Sequence, residues 1–199
     1  MDGPRELVRR GYDVIGDAYK GRPHDVLAWV DRAVAGLLPG APVLDLGCGD
    51  GVPVARHLVG RGLAVTGVDL SEAQVQRARR AVPGASFVVA DMTALDLPNA
   101  SVAAVVALYS VLHVPPDEQP GLLADIARWL RPGGRLLLVV GETAWTGVDD
   151  FFGVPMFFGD AGAAAAADAL AAAGLRLAWR HREPEGNGAH VVLLAERPA

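Results

Sequence analysis

Two periodicities alternate along this chain. Short apolar runs rich in valine and leucine recur at residues 42–46, 64–68, 86–90, 102–108 and 135–140, and amphipathic stretches lie between them near 52–61, 71–81 and 117–130. Alternation of that kind predicts βαβ units on a parallel sheet. Ser71 followed by Glu72 reads as an N-cap with an acidic first turn. Arg131-Pro132-Gly133-Gly134 reads as a helix stop and a turn into the fifth strand. About forty residues ahead of the first strand look helical, in two pieces broken at Gly21-Arg22-Pro23. Near the other end, the alanine-rich run 161–173 is helical by propensity, with Asp160 placed to cap it and Gly174 to end it. The runs 176–180 and 190–194, separated by Gly186-Asn187-Gly188, predict an antiparallel pair at one sheet edge.

Residues 141–160 break the alternation. They combine Gly141, Gly147, Gly153, Pro155 and Gly159 with Trp145, Phe151, Phe152, Phe157 and Phe158 and keep no clear period. This predicts a loop, either one that covers an apolar ligand or one stapled to the surface by its own aromatics.

Composition narrows the class. At 199 residues the chain is expected to form one domain, 1–199, and with 51% hydrophobic residues it needs neither disulfides nor a structural metal. One cysteine, Cys48, allows no internal disulfide and no multi-cysteine metal site, which fits a reducing, cytoplasmic setting. The first residues lack the basic-then-apolar order of a signal peptide, and no apolar run reaches the ~20 residues a bilayer requires, so no membrane association is expected. A net charge of −5 without a lysine block argues against nucleic acid as a partner. Nothing in the sequence specifies an oligomeric state.

The strongest local signal is Val43-Leu44-Asp45-Leu46-Gly47-Cys48-Gly49-Asp50-Gly51, an apolar strand running into glycines with a helix directly after. Such glycines let backbone approach a ligand closely. Nicotinamide and flavin enzymes use a similar turn, but their G-x-G-x-x-G spacing needs glycine at position 52, which is Val52. Asp45 also argues against them: a carboxylate there repels a diphosphate and suits a ligand carrying positive charge. Asp69 ends the second strand 20 residues after Gly49, the position at which an acid binds a ribose diol in doubly wound folds. Asp91 ends the third strand, where it either accepts an adenine amino hydrogen, with Met92 on the ring face, or merely forms the turn.

A ribose, an adenine and a cationic end describe S-adenosylmethionine. These segments, with Leu108-Tyr109-Ser110-Val111-Leu112-His113 and Leu130-Arg131-Pro132-Gly133-Gly134, make the chain resemble the class I S-adenosylmethionine-dependent methyltransferases, closest to their small-molecule branch. The resemblance implies an α/β, Rossmann-like, seven-stranded sheet of order 3-2-1-4-5-7-6, strand 7 antiparallel, with helices on both faces and an N-terminal helical cap over residues 1–40. It implies that Asp45, Gly47, Cys48 and Gly49 surround the methionine end. Asp69 with Leu70 takes the ribose, Asp91 and Met92 the adenine, and Leu108 and Tyr109 border the sulfonium. The element from Tyr12 to Tyr19 folds over the cofactor, and S-adenosylhomocysteine is the product.

Methyl transfer from a sulfonium is an in-line displacement, so alignment is the main requirement and a base is needed only if the acceptor must lose a proton. Among His24, His57, His113, His181 and His190, only His113 lies just past a strand end on the cofactor side, where it is either base, substrate contact or support for the turn before Pro115-Pro116. The DNA-adenine and cytosine-carbon methylation motifs of the family are absent. Asp149-Asp150 is a weak metal pair, and no metal is expected. If 141–160 is a lid, Trp145, Phe151 and Phe157 line an apolar acceptor pocket, and the acceptor is a small organic molecule. Two other readings stay open: a non-catalytic module that binds the same cofactor, and a nicotinamide-dependent oxidoreductase.

Overall fold

The computed structural model describes residues 3–18, 26–186 and 188–199. Tyr19, His24 and the Gly21-Arg22-Pro23 break fall outside them. Five parallel strands, β1 (Pro42–Leu46), β2 (Ala64–Asp69), β3 (Ser86–Val89), β4 (Val102–Ala107) and β5 (Leu130–Gly141), are extended by an antiparallel pair, β8 (Arg176–Glu185) and β9 (Gly188–Glu196). The sheet order is β3-β2-β1-β4-β5-β9-β8, with β9 the one strand running against the rest. This is the expected order and the expected antiparallel strand.

Side-chain parity assigns the helices to faces. Leu44 and Leu46 point to α5 (Gln119–Trp129) and α6 (Ala163–Ala172), in a core with Trp129, Ile126 and Leu170. Val43, Val65, Ala104 and Val106 point the other way, to α2 (Val26–Ala33), α3 (Val54–Gly60) and α4 (Glu72–Ala81). Buried β4 shows no alternation in exposure, as a central parallel strand covered on both faces should not. Ser71 caps α4 as expected, its hydroxyl accepting from the Gln74 amide at 3.1 Å.

Two sequence expectations are overturned by the structure. Residues 141–160 are not a loop: β6 (Trp145–Phe151) and β7 (Val154–Asp160) form an antiparallel hairpin outside the main sheet. Its glycines masked the period, and its aromatics pack on a helix, not on a sheet face. Helix α1 (Pro4–Ile15) lies against β7 in a third core of Val8, Ile15, Met156 and Phe157. A Cβ on Gly11 would meet Met156 Cε at 2.5 Å, so helix and hairpin are closely fitted. Asp160 does not cap α6, whose N-cap is Gly162; its carboxylate accepts from the Gly162 and Gly141 amides and binds the end of β5 to the turn into α6.

Candidate functional site

The strand order reverses between β1 and β4, and the crevice outside their carboxyl ends is where such sheets bind ligands. A groove partly open to solvent lies there, lined by Gly47, Gly49, Asp69, Leu70, Asp91, Met92, Leu108, Tyr109 and His113, with Arg5, Val8 and Tyr12 of α1 as its roof. A second compartment continues from it past Gly47, Gly49 and Tyr109 to Asp45, Cys48 and Val26. Residues from five widely separated stretches of sequence therefore converge, as the motif spacing predicts.

The two glycines have different reasons. Gly47 has φ +73°, and a Cβ there would overlap Ser110, whose hydroxyl donates to the Leu46 carbonyl at 2.7 Å. Its lack of a side chain is thus a requirement of packing between the ends of β1 and β4. Gly49 has φ +54° and meets nothing where a Cβ would be, so its open side is the groove. Tyr109 also holds a left-handed φ, +55°, which marks a position over-determined by its surroundings; its ring stands edge-on to His190, centroids 5.1 Å apart. His190 has no motif of its own, and only β9 pairing beside β5 brings it next to a site residue.

Three carboxylates define the polarity. Asp45 shares the inward parity of Val43 and is buried, and among the described residues its Oδ2 has no hydrogen-bond partner. Burial, with the Asp69 charge, pushes it up to about 7. Asp69 accepts from the Gly49 amide at 2.9 Å and the Ser71 amide at 2.9 Å; burial raises it, partly offset by those donors. Asp91 is held differently. Burial alone would raise it, but the Thr93 amide at 2.9 Å, the Thr93 hydroxyl at 2.8 Å and the Arg5 guanidinium hold it below the ordinary carboxylate range. Cys48 borders the second compartment, and burial with nearby Asp45 and Asp69 raises its thiol strongly, which leaves it no thiolate chemistry.

His113 is buried under the roof. Its Nδ1 donates to the Phe157 carbonyl at 2.7 Å, which leaves the lone pair on Nε2, and the Tyr12 hydroxyl donates to that nitrogen at 2.9 Å. Tyr12 thus meets a catalytic candidate, a contact the sequence reading did not foresee. The hairpin aromatics do not line the groove. Phe157 turns its ring into the α1 core, Phe151 packs edge-on to Tyr12 at 6.3 Å, and Trp145 is 47% exposed. Phe157 acts on the site through its backbone carbonyl. Asp149 and Asp150 lie in exposed β6, and among the described residues no group of three or more His, Cys, Asp or Glu is arranged to hold a metal.

Comparison with known proteins agrees with this geometry. Residues 43–134 match the methyltransferase domain family. A 27-O-demethylrifamycin SV methyltransferase of Amycolatopsis mediterranei is 37% identical over 156 residues, covering 66% of this chain and 57% of that protein. A demethylmenaquinone methyltransferase of Tropheryma whipplei is 31% identical over 141 residues, with the same two coverages, 66% and 57%. The structure of magnesium protoporphyrin IX methyltransferase from Synechocystis PCC 6803, with S-adenosylmethionine bound, superposes with a TM-score of 0.77 over 99% of this chain and 98% of that one; at 21% identity this is a likeness of fold. The fold, the strand-end glycine turn and these relatives are those of an α/β domain of the methyltransferase type. In sequence the chain is similar to S-adenosylmethionine-dependent methyltransferases, with the match to their domain model lying in residues 43–134. It spans 57% of the length of each of these two curated relatives. Among the described residues, no helix is long and apolar enough to cross a membrane.

Proposed function

We propose that this chain transfers a methyl group from S-adenosylmethionine to a small organic acceptor, releasing S-adenosylhomocysteine. The observation that carries the reading is Asp45, a buried carboxylate with one oxygen unpartnered at the mouth of a glycine turn. An anion so placed accepts an ammonium group and repels a diphosphate, which disfavours the nicotinamide alternative.

The residues fit the cofactor end to end. Asp45, Gly47, Cys48 and Gly49 would hold the methionine portion, and Asp69 with Leu70 the ribose hydroxyls. Asp91 and Met92 would hold the adenine, with Leu108 and Tyr109 beside the sulfonium. When bound, the cofactor supplies a methyl group on a positively charged sulfur, already activated for displacement. What remains for the protein is alignment and exclusion of water, which α1 and the β6–β7 hairpin provide as cap and lid. Where the acceptor must lose a proton, His113 Nε2 receives it, the Tyr12 hydroxyl first yielding that nitrogen. The small-acceptor assignment is supported by relatives named for rifamycin and menaquinone precursors. The same reading takes 1–199 as one domain acting in the cytoplasm.

Calorimetric titration with S-adenosylhomocysteine tests the first half, and transfer of isotopically labelled methyl groups across a panel of phenols, acids and amines tests the second. Binding of the product and transfer to a panel member are expected. A protein that ignores donor and product but binds a nicotinamide dinucleotide overturns the proposal. Product binding with no transfer to any acceptor would leave the non-catalytic module instead.

A further inference from the structure

Arg5 stands in the first turn of α1, where a cation opposes the helix dipole, so local helix energetics do not account for it. Its partners do. Nη1 donates to Glu118 Oε1 at 3.0 Å and Nη2 to Glu118 Oε2, a two-point fork that fixes the guanidinium plane. Nη2 also donates to the Thr93 hydroxyl at 2.7 Å, and Nε donates to Asp91 Oδ2. Arg5 itself lines the groove beside Asp91 and Met92.

A carboxylate offers about four acceptor positions. On Asp91, Oδ1 receives two donors, the Thr93 amide and hydroxyl, and Oδ2 receives Arg5. One position on Oδ2 is left. We propose that Arg5 is a positioning residue for adenine: by occupying the other side of Oδ2 it presents a single aimed acceptor, which selects a purine bearing a 6-amino hydrogen over one bearing a 6-oxo group. The recognition site for the base is then incomplete on the sheet alone and is finished by a residue from α1, with Glu118 setting the plane. A 6-oxo purine brings oxygen toward a carboxylate that cannot donate, and one aimed, half-buried acceptor of this kind discriminates between the two.

The inference rests on the assignment of Asp91 to the adenine end, and the experiment separates the two. Calorimetry compares S-adenosylhomocysteine with its 6-oxo analogue, S-inosylhomocysteine, on the unaltered chain, Arg5→Ala, Arg5→Lys and Glu118→Gln, with circular dichroism confirming that each is folded. The unaltered chain is expected to prefer the adenine compound by about 100-fold, Arg5→Ala to lose about tenfold of that preference, and Arg5→Lys and Glu118→Gln to lose an intermediate part. A helix-docking role alone would weaken both ligands equally and leave their ratio unchanged; that result overturns the proposal. So does tighter adenine binding in Arg5→Ala, the sign of a guanidinium that competes with the base. Failure of the unaltered chain to bind S-adenosylhomocysteine at all defeats the functional assignment beneath it. Binding with no preference between the two compounds defeats the Arg5 role alone.

Discussion

Asp45 ties one residue's protonation to both stability and binding. Its folded value, about 7, lies above the ordinary carboxylate value, so the empty protein binds more protons than the unfolded chain between about pH 4 and 7. Stability of the empty form therefore falls as pH rises through that window and levels off above it. Cofactor affinity runs the other way, because an ammonium group needs the ionised carboxylate. Affinity for S-adenosylhomocysteine is expected to drop by up to about tenfold per pH unit below 7, and to weaken again above ~8 as the ligand's own amine deprotonates. In Asp45→Asn the acid limb disappears, with binding weak throughout; calorimetry across pH 5.5–8.5 checks both. Gly49→Ala is a second case at this scale. It strains a left-handed backbone and puts a methyl group into the groove, so product binding should fall by at least about tenfold while melting shifts little. At Gly47 the same change meets Ser110 and should reduce soluble yield instead.

Among the elements, α1 and the β6–β7 hairpin form one roof, and Met156 is the pin between them. It is fully buried, and Met156→Ala removes a side chain worth about 2–5 kcal/mol in a core of few residues. Amide hydrogen exchange in Pro4–Ile15 is expected to accelerate at least tenfold, with β1 to β5 unchanged; unaltered exchange in α1 would mean that the hairpin does not seat it. A different device closes α5. Arg197 Nη1 donates to the carbonyls of Ala127, Arg128 and Leu130 at 3.1, 3.1 and 2.5 Å, filling acceptors that the helix end leaves open. Arg197→Ala should cost roughly 1–3 kcal/mol and lower the melting temperature by several degrees, read by differential scanning calorimetry. These contacts show what was legible in the sequence. The strands, their order and the Ser71 cap follow from patterns of a few residues and from a resemblance whose motifs sit at strand ends. The hairpin was not legible, because its hydrophobic side faces α1 and its period is interrupted by Gly147, Gly153 and Gly159. Nor was the exchange of roles within it, where Phe157 matters to His113 through its carbonyl, a group every residue carries.

For the molecule as a whole, position in the sheet explains which residues of the groove the sequence pattern could indicate and which it could not. Asp45, Asp69 and Asp91 lie at or just past the carboxyl ends of parallel strands, so one rule places all three at the same rim. Arg5 and His190 reach that rim from outside the βαβ pattern, through α1 and through the antiparallel β9, and no periodicity records such a return; Tyr12 is indicated by the resemblance and not by any periodicity. Arg5 left one trace, a cation in the wrong end of a helix, that could have been read as a demand for anionic partners.

The order in which the roof and its supports appear along the polypeptide has a consequence for synthesis. Tyr12 bonds a residue 101 positions later and Arg5 one 113 positions later, while β7 closes only at Asp160. A chain emerging from the ribosome therefore carries α1 without its seat until residue 160 has been made. The strand-end rim is thus made before the support that seats the helix covering it, and it stays unroofed until β7 is in place.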